Sequence, residues 1–198
     1  MEETLRILSL YEELGVTEVW LTPHIMEDMP NTTASLKARF KALEAAYQGN
    51  IGLHLASENM LDNLFEERLE QNDLLPLGKG GKHLLVETSY FNPPMGLNNI
   101  LLRIKSKGYV PVLAHPERYE YMQKKDYKAL KEEHIFFQLN VPSLAGMYGR
   151  HVQEKAEALL KAKAYYCIGC DIHSAFFYHK LLQSDIRKKI VMNFREES

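Results

Sequence analysis

Short apolar runs alternate with longer stretches of helical spacing along almost the whole chain. The first apolar side chains fall at Leu5, Leu8, Tyr11 and Leu14, one face of a helix from Thr4 to Leu14, and Gly15 offers its stop. Val16 to Leu21 reads as a strand that ends at Thr22-Pro23-His24. Ile25 to Thr33 is a polar loop, Ser35 to Tyr47 a helix broken by Gly49-Asn50, and Ile51 to Ala56 a short strand before Ser57-Glu58-Asn59. A helix from Leu61 to about Gln71 and a glycine-rich loop, Gly78 to Lys82, lead to the strand His83 to Val86, which delivers Glu87. Leu97 to Ser106 is helical, with Gly108 as its stop, and Val110 to Leu113 is a strand that halts at His115-Pro116. Tyr121 to Glu133 is a charged helix, and Ile135 to Leu139 is a strand delivering Asn140. Gly149 to Ala164 is helical, and Tyr165 to Gly169 is a strand delivering Asp171 and His173. A helix over roughly Phe177 to Phe194, carrying the basic run Arg187-Lys188-Lys189 on a solvated face, closes the chain.

Helix and strand in regular alternation predict a parallel sheet wound by crossover helices, in a single domain over residues 1–198. The pattern opens on a helix, so a first strand is expected to lie before Met1. The formal net charge of -2 gives no electrostatic footprint for nucleic acid or an anionic membrane. No apolar run approaches the ~20 residues of a membrane span. Cys167 and Cys170 cannot build a disulfide framework, which fits a reducing, cytoplasmic setting. The Gly78–Lys82 loop lacks the spacing and the Ser/Thr of a phosphate loop.

The candidate chemistry lies at the strand ends. His24, Glu58, Glu87, His115, Asp171 and His173 each sit just past the C-terminal end of a predicted strand, and in a parallel barrel those ends share one rim. All are metal-ligand types. Imidazole with carboxylate suits manganese, iron or zinc, and two carboxylates such as Glu58 and Glu87 in one site would repel unless cations neutralised them. The chemistry this supports is metal-assisted hydrolysis with no protein nucleophile. A cysteine phosphatase needs Cys-x5-Arg, whereas Cys167 is followed at that spacing by His173 and Cys170 by Phe176. The two cysteines read as buried core thiols. Glu117 reads equally as a general acid toward the leaving group or as a cap for the next helix. His54, His83, His134, His151 and His179 lie within elements or on helix faces and read as structural.

Thr22-Pro-His24, Glu58, Leu85-Val-Glu87, Leu113-Ala-His-Pro-Glu-Arg118 and Gly169-Cys-Asp-Ile-His173 resemble the successive motifs of the PHP (polymerase and histidinol phosphatase) superfamily. The nearest branch is the bacterial manganese-dependent tyrosine-protein phosphatases of capsular and exopolysaccharide synthesis. That resemblance implies a distorted (β/α)7 TIM-like barrel, here lacking its first strand, that holds up to three metal ions. Manganese is the implied ion, with iron or zinc as alternatives. By the same resemblance Glu58 bridges metals, Glu87 and His115 complete one site, His24 and His173 hold another, and Asp171 completes a third. Arg118 would bind the substrate phosphate, its guanidinium fork matching two phosphate oxygens. The implied partner is a bacterial tyrosine kinase of polysaccharide export.

Two departures from the pattern stand out. The opening His-x-His of the superfamily is not in this sequence, so fewer metals are expected in this chain. A second arginine past the Asp-x-His is also lacking; Phe176, Phe177 and Tyr178 occupy that stretch, as anchors of the last helix or as an aryl-binding wall. Three functions follow: a phosphotyrosine phosphatase, a phosphatase of the same fold acting on a small ester such as histidinol phosphate, or a catalytically impaired kinase-binding module.

Overall fold

A computed structural model of the chain describes residues 1–174. The predicted last helix, with Phe176, Phe177, Tyr178, His179 and Arg187-Lys188-Lys189, lies outside the described residues. Helices α1 (Glu2–Glu13), α2 (Thr33–Ala46), α3 (Phe65–Gln71), α4 (Leu97–Ser106), α5 (Lys124–Glu132), α6 (Val141–Leu144) and α7 (Arg150–Lys161) are interleaved with strands β1 (Glu18–Leu21), β2 (His24–Ile25), β3 (Gly52–Leu55), β4 (Glu58–Met60), β5 (His83–Glu87), β6 (Val110–Ala114), β7 (Phe136–Asn140) and β8 (Cys167–Gly169). This is an α/β chain of parallel strands, as the alternation predicts. Among the described residues no helix is long and apolar enough to cross a membrane. Contacts divide it into two compact units, one of Met1–Ser89 with Pro93–Val112, the other of Tyr90–Asn92 with the described residues from Leu113, so the division falls inside β6.

In the first unit β1 pairs with β3 and β2 with β4, both in parallel. Each of these predicted strands is followed by a further short strand, of two and three residues. Pro23 has no N–H to give and the Ser57 N–H turns to the carbonyl of Leu75 at 2.8 Å, so both strands break at equivalent positions. The pairing survives the break: Ala56 donates to Leu21 and Glu58 donates to Pro23, and the register stays the same on both sides. His24 and Glu58 therefore begin strands of their own instead of trailing off the previous ones. Leu8, Leu43 and Ile51 form the core under β1 and β3, joined by Val19, Leu21 and Leu53. Ile25, Leu36 and Leu75 form a second cluster under β2.

Two helix starts move for local polar reasons. Thr32 caps α2, its hydroxyl accepting from the Ser35 N–H at 3.1 Å while the Ser35 hydroxyl accepts from Thr32 N–H, so Ser35 is the third helical residue and not the first. Asp62 holds the chain in a turn before α3: its carboxylate accepts from Leu64 N–H at 3.1 Å and from Arg68 at 2.7 Å. The preceding Leu61 still donates to Glu87 as if in a strand.

In the second unit β7 pairs in parallel with β8, and Leu139 packs with Val141, Leu144, Ala156 and Leu160 of α6 and α7. The helix expected from residue 121 starts at Lys124, capped reciprocally by Gln123 and Asp126. A single 3-10 turn, Pro116–Arg118, precedes it. Cys167 and Cys170 are half-buried and not joined in a disulfide; Cys170 lies just past β8 and packs against the Leu139 cluster.

Candidate metal centre and phosphate site

Register alone brings three of the predicted residues to one face of the first unit's sheet. His24 stands opposite Glu58 across β2 and β4, and Met60, two residues along β4, stands opposite Glu87 on β5. Side chains opposite one another, and those two apart on a strand, share a face of a sheet. His24 Nδ1 lies 2.9 Å from Glu87 Oε1 and 3.6 Å from Glu58 Oε2. One ligand atom from each of the three falls within 4.8 Å of the others. Glu58 is 4% exposed and Glu87 2% exposed.

Those values test whether a cation fits. Two carboxylates in a space nearly closed to water carry more negative charge than one imidazolium can balance, and unbalanced buried charge is strongly disfavoured. A divalent ion among two oxygens and one nitrogen resolves this, and the donor set suits manganese, iron or zinc. Asn59, on the opposite face of β4, is held by the carbonyls of Ser57 and Leu85 at 3.1 Å and 2.9 Å. Those bonds fix the strand that carries Glu58.

The second unit carries His115, Arg118, Asp171 and His173. A residue before proline is expected to be extended, yet His115 adopts the left-handed conformation, φ 35° and ψ 50°. Its N–H donates to the Gln138 carbonyl at 3.0 Å, and its ring packs against Tyr90 and Tyr119. Asp171 is left-handed too, at φ 44°. Conformations of this kind cost about 1–3 kcal/mol each and gather at functional sites. Arg118 Nη1 donates to Asp171 Oδ2 at 2.5 Å, and Oδ1 of the same carboxylate lies 3.5 Å from His173 Nδ1.

Glu117 is fully buried and acts locally. It accepts from the Asn140 N–H and from the Tyr165 hydroxyl, both at 3.0 Å, so it ties the 3-10 turn to the end of β7. Burial pushes its carboxyl above the ordinary value. Its bond to Asn140 reaches the residue that precedes α6. Of the other described histidines, His54 stacks on Trp20 with centroids 4.7 Å apart, and burial lowers the pKa of His83.

Asn140 is a strand-end residue to which the sequence assigns no role, and two further residues, Tyr90 and Tyr148, lie off the strand ends. Asn140 ends β7, is 1% exposed, and its amide nitrogen and oxygen meet no hydrogen-bond partner among the described residues. Tyr90 and Tyr148 flank Arg118. Only Tyr148 leaves a trace in the sequence, as an aromatic between two closely spaced glycines, Gly146 and Gly149.

The model of the family described as capsular polysaccharide synthesis, CpsB/CapC, matches residues 1–185. Tyrosine-protein phosphatase YwqE of Bacillus subtilis (strain 168) is 25% identical over 166 residues, 81% of this chain and 65% of YwqE. CapC of Staphylococcus aureus is 21% identical over 180 residues, covering 88% of this chain and 70% of CapC. The chain thus spans about two thirds of the length of these curated relatives. A solved structure from a crystallographic study of YwqE from Bacillus subtilis and CpsB from Streptococcus pneumoniae, described as metal-dependent tyrosine phosphatases, superposes with a TM-score of 0.79. It covers 99% of this chain and 81% of its own at 20% identity, a likeness of fold.

Proposed function

The chain belongs to the capsular polysaccharide synthesis CpsB/CapC family, and from that premise we propose that it is a metal-dependent phosphoric monoester hydrolase acting on phosphotyrosine. In this reading its substrate is a bacterial tyrosine kinase of polysaccharide export, it works in the cytoplasm, and its fold is the (β/α)7 barrel of the PHP superfamily. The observation that carries the reading is the buried trio His24, Glu58 and Glu87, whose ligand atoms lie within 4.8 Å of one another. Those side chains would hold manganese or a similar ion; His115, Asp171 and His173 of the second unit are proposed separately as metal ligands. A divalent ion so held supplies Lewis-acid assistance to hydrolysis at phosphorus.

The chain's own residues do the rest. Arg118 binds two phosphate oxygens through its fork, and Asp171, 2.5 Å from Nη1, fixes the rotation of that fork. Charge developing on the phosphoryl oxygens then meets a donor already in place, which needs no reorganisation during the reaction. Glu117 takes no part in proton transfer, because both its oxygens are engaged inside the protein.

Turnover of a phosphotyrosine peptide and of histidinol phosphate, each with and without added manganese, tests this. Manganese-dependent release of phosphate from the peptide, abolished by chelator and by Glu58→Gln, is the expected result. Preference for histidinol phosphate would overturn the substrate, and turnover indifferent to chelator would overturn the chemistry.

A further inference from the structure

The guanidinium of Arg118 is flanked by two tyrosine rings, 4.3 Å from the centroid of Tyr90 and 4.1 Å from that of Tyr148. We propose that Tyr90 and Tyr148 form an aromatic clamp that presets the plane of Arg118, making them positioning residues for phosphate binding. The proposal rests on the reading of Arg118 as the phosphate-binding residue.

The argument begins with the group being held. A guanidinium is planar, donates only in its plane, and stacks well on aromatic faces because it is weakly hydrated. Rings at these distances attract the cation and take up surface that carries no donor. Asp171 takes one terminal nitrogen at 2.5 Å. What remains to the arginine is the rest of its in-plane edge, already turned to one orientation. A long side chain loses up to about 2 kcal/mol of rotamer freedom when it is fixed. Here that loss is met on folding and not on substrate binding, the general route by which preorganisation raises affinity.

Both rings are built to stay put. Tyr90 lies three residues past Glu87, and its carbonyl accepts from the Glu120 N–H at 2.7 Å. Its ring continues into a stack with Tyr119, 6.3 Å away, which in turn stacks on Tyr121 at 5.6 Å. Tyr119 is wholly buried. Tyr148 sits in the turn between α6 and α7, bracketed by Gly146 at φ 72° and Gly149 at φ 89°. Those left-handed positions close the turn, with Gly149 N–H donating to Gly146, and a Cβ on Gly146 would meet Gln153 at 3.0 Å. Glycine there is what aims the tyrosine.

The test is binding of inorganic phosphate by calorimetry to the full chain, with manganese present throughout, beside KM and kcat on a phosphotyrosine peptide. Tyr90→Leu and Tyr148→Leu should each weaken phosphate binding and lower kcat/KM about fivefold, the scale of a partly desolvated cation–π contact. Tyr90→Phe and Tyr148→Phe keep the ring face and should recover most of that loss. In an Arg118→Ala background the leucine changes should add nothing. Leucine variants that bind phosphate as well as the parent, or phenylalanine variants as poor as the leucine ones, would overturn the clamp. A loss that persists in the Arg118→Ala background would show general damage to the fold and also overturn it. If Arg118→Ala itself binds phosphate normally, the assignment of Arg118 falls first; that outcome is separate from failure of the clamp.

Discussion

His24 Nδ1 and Glu87 Oε1 lie 2.9 Å apart across two strand pairings, although 63 residues separate them in the chain. With Glu58 they form a knot of charge that the protein surrounds almost completely. A cation is the element that makes such burial favourable, so the trio and its ion should stand or fall together.

Glu87→Gln should therefore lose metal before it loses fold. The amide keeps the shape but gives up the charge that the ion balances. Removing even an outer partner of a metal ligand typically lowers affinity about 10–100-fold, and a ligand itself should exceed that. Elemental analysis after dialysis, with far-UV circular dichroism as the control for folding, checks it. Unchanged metal content would remove Glu87 from the centre.

Arg118→Lys keeps the charge and loses the fork. A lysine ammonium cannot match two phosphate oxygens in one plane, and over the Tyr90 and Tyr148 rings it lacks the flat, weakly hydrated face of a guanidinium. KM for a phosphotyrosine peptide should rise at least about tenfold, the scale of one charge-assisted hydrogen bond. A KM within twofold of the parent would mean that positive charge alone suffices there.

Strand ends were the legible part of the chemistry. His24, Glu58 and Glu87, whose ligand atoms lie within 4.8 Å of one another, could be listed from the sequence because proline, serine and short β-branched runs mark where strands stop. What could not be listed depends on contacts distant in sequence. Nothing near Ser57 reveals that its N–H will turn to Leu75 and split a strand, leaving Glu58 to begin the next one. The proline after His115 argued for an extended histidine; the bond from its N–H to Gln138 instead accompanies a left-handed one. Tyr90 and Tyr148 flank the arginine from loops, where no periodicity marks a functional side chain. Glu117 read equally as a general acid or a helix cap, because its bonds to Asn140 and Tyr165 come from elements distant in sequence.

Tyr165→Phe should destabilise the fold without touching the chemistry. The lost hydroxyl donates to Glu117 at 3.0 Å, and burial holds that tyrosine protonated well above its ordinary range. Removing the donor leaves a buried carboxyl with one partner fewer, a cost of about 1–2 kcal/mol. For a domain of this size that corresponds to a melting temperature lower by about 2–8 °C. Urea unfolding should show a lower midpoint at an unchanged slope. An unaltered midpoint would mean that the bond contributes nothing net.

Cys167 separates the proposed metal-dependent hydrolysis from a cysteine-dependent one. A cysteine-dependent enzyme needs a thiolate at neutral pH, and burial instead pushes this thiol from 9.0 up to about 12. Burial disfavours the charged form, so at pH 8 the thiolate should be about a thousandfold scarcer than in an ordinary cysteine. The linkage to stability has a definite sign. A pKa raised on folding contributes stability that is complete below the unfolded value of 9.0 and is lost as the pH climbs toward 12. Iodoacetamide at pH 8 should accordingly modify Cys167 slowly in the folded chain and readily in urea, as followed by mass spectrometry of the peptides. Cys167→Ala should retain manganese-dependent turnover and flatten part of the stability loss above pH 9. Rapid alkylation of the native chain at Cys167 with parallel loss of activity would return the thiol to the reaction and displace the metal centre from it.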